Sequence, residues 1–320
     1  MTLGACLPTD MQGPNTSITR IAAGLSGAGV HRVDVAGQAF VLKIARDDEP
    51  LDLWRGRTRV LQLAADAGLA ARVIHIDESR RAVLSAFVAD RSFPALCMHP
   101  RTRESAIALL GRTIRRVHDL PLPPNADAQD PRGLLATTWQ MLAAGGAVPS
   151  FAGDAVRQAL EETAPISERA FVLSHNDVNP TNLVYDGEKL LLLDWDSCGS
   201  NDPLWDLASI SVFLRMDAET CRALIAAHDG EPAASIPKRF SYNRRLVAVL
   251  MGAVFLGLAR QHGHTGGNGA LESAGSLLEF YQRMRAGTIS PASAEGQWAF
   301  GLALVKEAVA MAAEPRAKAG

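Results

Sequence analysis

Two hydrophobic periods divide this chain. Between residues 17 and 88 the apolar positions come in short bursts with strand-like spacing, at 18–22, 30–35, 39–44, 73–76 and 82–87. The first two bursts are separated by a glycine-rich stretch, 24–29, and the next pair by Ala36-Gly37-Gln38, a hairpin turn. One helical segment interrupts them at 52–67, with Leu53, Val60, Leu61 and Leu63 as its apolar face and Gly68 closing it. From residue 101 the period becomes that of a helix. Ile107, Leu110, Ile114 and Val117 mark 101–118, and further helices are expected at 134–144, 154–164, 203–216, 218–228, 239–262, 270–286 and 295–313. Residues 121–131 form a Pro-rich loop, 263–269 a Gly/His loop, and 1–16 an irregular lead-in with Pro8, Gly13, Pro14 and Asn15. The expected fold class is α+β and bilobal. A small antiparallel β-rich lobe spans 17–88, and a larger α-helical lobe spans 89–320.

Composition narrows the class. At 320 residues, 48% of them hydrophobic, the chain can bury the cores of two lobes. A net charge of −2 gives no electrostatic case for a nucleic-acid partner. Cys6, Cys97, Cys198 and Cys221 are far apart and form no Cys-x-x-Cys pair, which points to reduced thiols in a cytoplasm. Leu3-Gly4-Ala5-Cys6 has the look of a lipoprotein cleavage box but lacks a basic start and an apolar region before it. The longest apolar run, 246–258, is short of the roughly 20 residues that cross a bilayer, so a buried helix is expected and no membrane partner. The sequence says nothing about oligomeric state.

Candidate chemistry concentrates at 172–206. Two apolar runs, 172–174 and 190–193, read as buried strands. Between them lie His175, Asp177 and Asn182, and Asp194 follows the second directly. Phosphoryl transfer needs a carboxylate that orients and deprotonates the attacking hydroxyl, and oxygen ligands for a Mg²⁺ that bridges the phosphates. Asp177 fits the first role; Asn182 and Asp194 fit the second. The alternative is a polar turn in which Asp and Asn cap backbone groups. Upstream, backbone N–H groups of the glycine-rich stretch (Gly24, Ser26, Gly27, Gly29) can lie over phosphates, although an ordinary flexible hairpin reads the same way. Lys43 is the only lysine before residue 189 and sits within an apolar strand, placed either to pair with phosphates or to face solvent. Asp202-Pro203 reads as a helix start. Asp196, Asp206 and Trp205 are candidates to line a pocket for a cationic substrate.

These motifs resemble the choline kinase and aminoglycoside phosphotransferase superfamily, the small-molecule branch of the protein-kinase-like fold. His175-Asn176-Asp177, Asn182, Asp194-Trp195-Asp196 and Asn201-Asp202-Pro203 with Asp206-Leu207-Ala208 look particularly like its choline kinase-like branch. The resemblance implies ATP and Mg²⁺ as cofactors, with the base of ATP at a hinge near 85–88 that includes Ala86 and Val88. It implies Asp177 and His175 as catalytic residues, Asp177 being the base, and Asn182 with Asp194 as metal ligands. The implied reaction is transfer of the γ-phosphate to a hydroxyl of a small, cationic molecule such as choline, ethanolamine or thiamine. Antibiotic phosphorylation is an alternative, which the basic tail Pro315-Arg316-Ala317-Lys318 favours less. A nucleotide-binding pseudokinase is another. It is motivated by the helix at 52–67, where the glutamate that usually pairs with the lysine is missing and Gly56 stands in the expected place. Lys43 would then lean on Asp194 alone or on Asp52.

Overall fold

The computed structural model describes residues 3–21, 29–124, 126 and 128–313. In chain order its elements are β1 (Thr16–Arg20), β2 (Gly29–Val35), β3 (Gln38–Ile44), α1 (Leu51–Asp66), β4 (Val73–Asp77), β5 (Ala82–Ala86), α2 (Phe93–Met98), α3 (Arg103–His118), α4 (Pro131–Ala144), α5 (Ser150–Glu161), β6 (Val172–Ser174), β7 (Leu183–Tyr185), β8 (Leu190–Leu192), α6 (Leu204–Phe213), α7 (Ala218–Asp229), α8 (Lys238–Gln261), α9 (Leu277–Arg285) and α10 (Ala294–Ala313). The α+β class and the β-first order agree with the hydrophobic periods. By compactness the chain forms two units, Met1–Ala126 with Val172–Ser200 and Ala223–Pro232, and Asp127–Phe171 with Asn201–Arg222 and Ala233–Gly320.

The first unit is built on an antiparallel sheet of order β1-β2-β3-β5-β4. Val35 pairs with Gln38 across a two-residue turn, and Ala36 and Gly37 both take positive φ, 47° and 82°. Such a turn twists in the same sense as the strands it joins. Strand alternation then decides which way Lys43 faces. Phe40, Leu42 and Ile44 pack with Val33, Ala82 and Leu84 on one face, so Lys43 stands on the other. The lead-in is not loose: two short 3₁₀ turns, Leu3–Cys6 and Thr9–Met11, deliver buried Cys6 and Leu7 onto that same apolar face. Two helical details differ from the sequence reading. The buried stripe of α1 is Trp54, Val60 and Ala64, whereas Leu53 and Leu63 are exposed. The short α2, anchored by the fully buried Phe93, was not anticipated, because six residues are too few to show a helical period.

The second unit is helical. Its 24-residue α8 is long and apolar enough to cross a membrane by length and composition alone, yet most of its apolar stretch is buried in the protein. It packs against α10, α6 and α4, as the central helix of a core does. The expected helix at 270–286 begins only at α9. Ser276 caps it, its hydroxyl accepting from Glu279 N–H while the Glu279 carboxylate accepts from Ser276 N–H.

Candidate active site

The two short strands flanking the polar stretch are β6 and β8, as the apolar runs foretold. His175 fastens them together. It is fully buried, and its Nδ1 lies 3.3 Å from Asp177 N–H, from which it accepts. That leaves Nε2 as the protonated nitrogen, which donates to Leu193 O at 2.9 Å. The ring also meets Trp195 edge-on at 4.9 Å. His175 therefore ties the loop carrying Asp177 to the residue before Asp194. A fully buried ring with these partners holds the loop in place and does not itself meet a substrate.

Asp177 is clamped on both oxygens. Asn179 Nδ2 donates to Oδ1 at 2.9 Å and Asn182 Nδ2 donates to Oδ2 at 2.8 Å. Burial pushes this carboxyl above the usual carboxylate range, and Asp194 nearby adds to the rise. His175 and the two amide bonds pull the other way. The result is a fixed carboxylate with enhanced proton affinity, as a general base requires. Asn179 was not picked out from the sequence; an Asn two residues beyond the Asp was the available sign. Its own carbonyl oxygen accepts from Thr181 N–H and Oγ1, which fixes its amide to face Asp177.

Lys43 reaches across from β3. Its Nζ lies 2.7 Å from Asp194 Oδ1 and 2.7 Å from Asp196 Oδ2. Burial disfavours its charge, but Asp196 and Asp194 outweigh that and raise its pKa, so it is an ammonium at neutral pH. Asp52 plays no part. It pairs with Arg55 at 3.1 Å and is 94% exposed. Asp194 itself sits at φ 59°, in the left-handed region, as does Asn176 at φ 65°. Strained backbone of this kind persists only where surrounding contacts impose it, and it gathers at functional loops.

The donor set suits a hard cation. Asp194 offers carboxylate oxygen. Asn182 spends its amide nitrogen on Asp177, so Oδ1 is the atom it could offer to a cation. Among the described residues no group of three or more His, Cys, Asp or Glu could hold a metal by itself. Two protein oxygens completed by phosphate and water is the arrangement Mg²⁺ prefers.

The remaining candidates divide. Gly24, Ser26 and Gly27 lie outside the described residues. Gly29 opens β2, paired to Ile44, and its neighbour Val30 pairs with Lys43. At the end of β5, Ala86 N–H donates to Arg72 O and Phe87 N–H to Ala39 O, while Val88 is half-buried. In the second unit, Asp202 accepts from Leu204 N–H at 2.8 Å, the helix-start role expected of it, and from Arg239 Nε at 2.9 Å. Asp206 is fully buried and Trp205 belongs to the unit's apolar cluster, so neither presents the open surface that the pocket role assigned to them needs.

The thiols in this region are quiet. Burial pushes Cys198 and Cys97 each up to about 12, against the attraction of Arg57 and Arg103 respectively. Cys6 and Cys221 are buried and raised as well. Since the thiolate is the reactive form, native protein at pH 8 is expected to release almost no thionitrobenzoate from Ellman's reagent, and four equivalents once denatured. A fast equivalent in the native protein would show that one of these environments is open.

Comparison with known proteins decides the family. The model of the phosphotransferase enzyme family matches residues 17–238, more than half of the chain. The chain belongs to that family. Protein LicA of Haemophilus influenzae is 33% identical over 54 residues, a match that spans 17% of this chain and only a fifth of that protein's length. Among solved structures, a choline/ethanolamine kinase family protein from Mesorhizobium loti aligns with a TM-score of 0.60 at 19% identity, over 95% of this chain and 97% of that one. Spectinomycin phosphotransferase APH(9)-Ia, determined with ADP and spectinomycin, aligns with a TM-score of 0.55 at 12% identity, over 90% of this chain and 93% of that one. At such identities the structural likeness speaks for the fold alone, which this chain shares with those two proteins.

Proposed function

We propose that this phosphotransferase uses ATP and Mg²⁺ to phosphorylate a hydroxyl of a small cationic molecule, an amino alcohol such as choline or ethanolamine, or thiamine, in the cytoplasm. The observation that carries the reading is the half-buried Asp177 carboxylate clamped by two amides, together with a lysine held by Asp194 and Asp196. Asp177 would orient the acceptor hydroxyl and take its proton as the oxygen attacks the γ-phosphorus. The bond from that phosphorus to the β–γ bridging oxygen breaks, and ADP leaves with the electron pair. Lys43 would meet the nucleotide phosphates, and Asn182 with Asp194 would hold the metal ion, which when bound offsets phosphate charge. Gly24, Ser26, Gly27 and Gly29 would cover the phosphates, and the backbone around Ala86 and Val88 would receive the base. Asp196 and the acidic residues near it favour a cationic acceptor over an anionic one.

The pseudokinase alternative rested on the missing helical glutamate, and the two carboxylates found on Lys43 weaken it. Antibiotic phosphorylation keeps support from the spectinomycin enzyme's likeness. Two measurements separate the three. ADP with Mg²⁺ at 100 times its Kd is expected to stabilise the fold by about 2.7 kcal/mol, raising Tm by ~4 °C. An acceptor screen scored by ADP release is then expected to single out an amino alcohol. Stabilisation without turnover across the screen would favour the pseudokinase, and turnover confined to aminoglycosides or spectinomycin would favour the antibiotic reading.

A further inference from the structure

Lys43 needs a carboxylate that does not also serve the metal. In this fold a lysine that meets nucleotide phosphates is useful only if something holds its chain over the phosphates. Among the described residues α1 provides no such group. Its two acids are committed elsewhere, Asp52 to Arg55 and Asp66 to Gln62 Nε2 at 2.8 Å. What α1 presents instead is cationic, with Arg57 paired to Glu49 at 2.8 Å. Asp194 contacts the lysine, but it is also the carboxylate best placed to take a cation.

Asp196 is the remaining contact, and it is built rigidly. It lies on the 3₁₀ turn Trp195–Ser197. Trp195 is 3% exposed, donates its Nε1–H to Leu192 O at 3.0 Å, and packs on His175. The turn that carries Asp196 is thereby fixed to β8 and to the Asp177 loop.

Resting on the kinase reading above, we propose that Asp196 is the positioning residue of Lys43, keeping the ammonium over the nucleotide phosphates when Asp194 is engaged by the metal. The lysine is then anchored from the loop that bears the metal ligand, not from α1. Lysine placement and metal placement become one unit, and a displacement of α1 leaves both in register. Asp196 here serves neither as metal ligand nor as contact to the acceptor.

Nucleotide binding with and without the metal tests this. ADP affinity of the full chain is measured by calorimetry, in EDTA and in Mg²⁺, for wild type, Asp196→Asn, Lys43→Ala and the double variant. Asp196→Asn is expected to weaken ADP roughly tenfold in Mg²⁺ and less in EDTA, where Asp194 still holds the lysine. The double variant should bind no more weakly than Lys43→Ala alone, because the two residues act through one contact. Asp196→Glu should recover part of the loss. Additive losses in the double variant in Mg²⁺ would show Asp196 acting independently of Lys43, as a metal ligand would, and overturn the proposal, as would undiminished ADP affinity of Asp196→Asn in Mg²⁺. Circular dichroism checks each variant's fold, and Asp196→Ser makes the same test if the Asn variant does not fold. Wild-type protein that binds no adenine nucleotide would sink the kinase reading itself along with the proposal. Wild-type binding with an additive cycle would sink only the role of Asp196.

Discussion

Asp177→Asn is expected to lower turnover by roughly 10²–10⁴-fold, the share that a positioned general base contributes, while the protein still folds and binds ADP. The substitution keeps the shape of the side chain and removes its ability to accept the hydroxyl proton. It has a second consequence specific to this site. The carboxylate accepts from two amide NH₂ groups, Asn179 Nδ2 on one oxygen and Asn182 Nδ2 on the other. An asparagine offers one acceptor oxygen, and its own NH₂ would face a second donor. One amide therefore loses its bond to the side chain and keeps only the one to Asp177 O, at a cost of about 0.5–1.5 kcal/mol. A modest fall in Tm should accompany the loss of turnover. Kinetics with ATP and the acceptor found by screening, together with thermal melts, check both. Turnover near that of wild type would show that Asp177 is not the base, and an unchanged Tm would show that the double clamp is not formed in solution.

What the sequence could reveal here follows from how far apart the interacting residues lie. The antiparallel sheet was legible because alternation is local: Phe40, Leu42 and Ile44 face the core, so Val41 and Lys43 must not. Asp177, Asn182 and Asp194 were legible because short apolar runs bracket them, and those runs became β6 and β8. Of the partners of Lys43, Asp194 was named as one and Asp196 was not. Asp194 and Asp196 are 151 and 153 residues away, and no periodicity encodes a contact at that distance. The search for a partner in α1 looked in the nearer helix, where the acidic side chains turn to Arg55 and Gln62. His175 looked like a reactive group because it stands among reactive groups. Only its complete burial and its bond to Leu193 O reveal a fastener. Trp205 and Asp206 carried the same ambiguity, since an aromatic beside an acid reads equally as pocket wall and as helix start, and burial is a property of the fold and not of the dipeptide.

Gly301→Ala is expected to destabilise the helical unit even though alanine favours helices by about 1 kcal/mol over glycine. Gly301 on α10 and Gly252 on α8 meet where the two helices cross. A Cβ on Gly301 would lie 2.8 Å from Gly252 O, 2.8 Å from Leu256 Cγ and 3.0 Å from Leu256 N. A Cβ on Gly252 would lie 2.7 Å from Val305 Cγ2 and 3.0 Å from Gly301 O. Two of these neighbours are backbone oxygens of the opposing helix, which cannot rotate away, so the helices themselves must separate. Overpacking of this kind costs ~1–3 kcal/mol, enough to cancel the propensity gain and reverse its sign. Gly257 supplies the contrast on the same helix, since a Cβ there meets nothing within 4 Å. Gly257→Ala should collect the propensity gain unopposed. Urea denaturation of the two variants should therefore move the midpoint in opposite directions, down for Gly301→Ala and up for Gly257→Ala. Equal gains would mean that α8 and α10 are not in backbone contact. Because α8 also carries Arg239, which holds Asp202 at the start of α6, spreading of this crossing should loosen that ion pair as well. Stability should then respond to Gly301→Ala before turnover per folded molecule does.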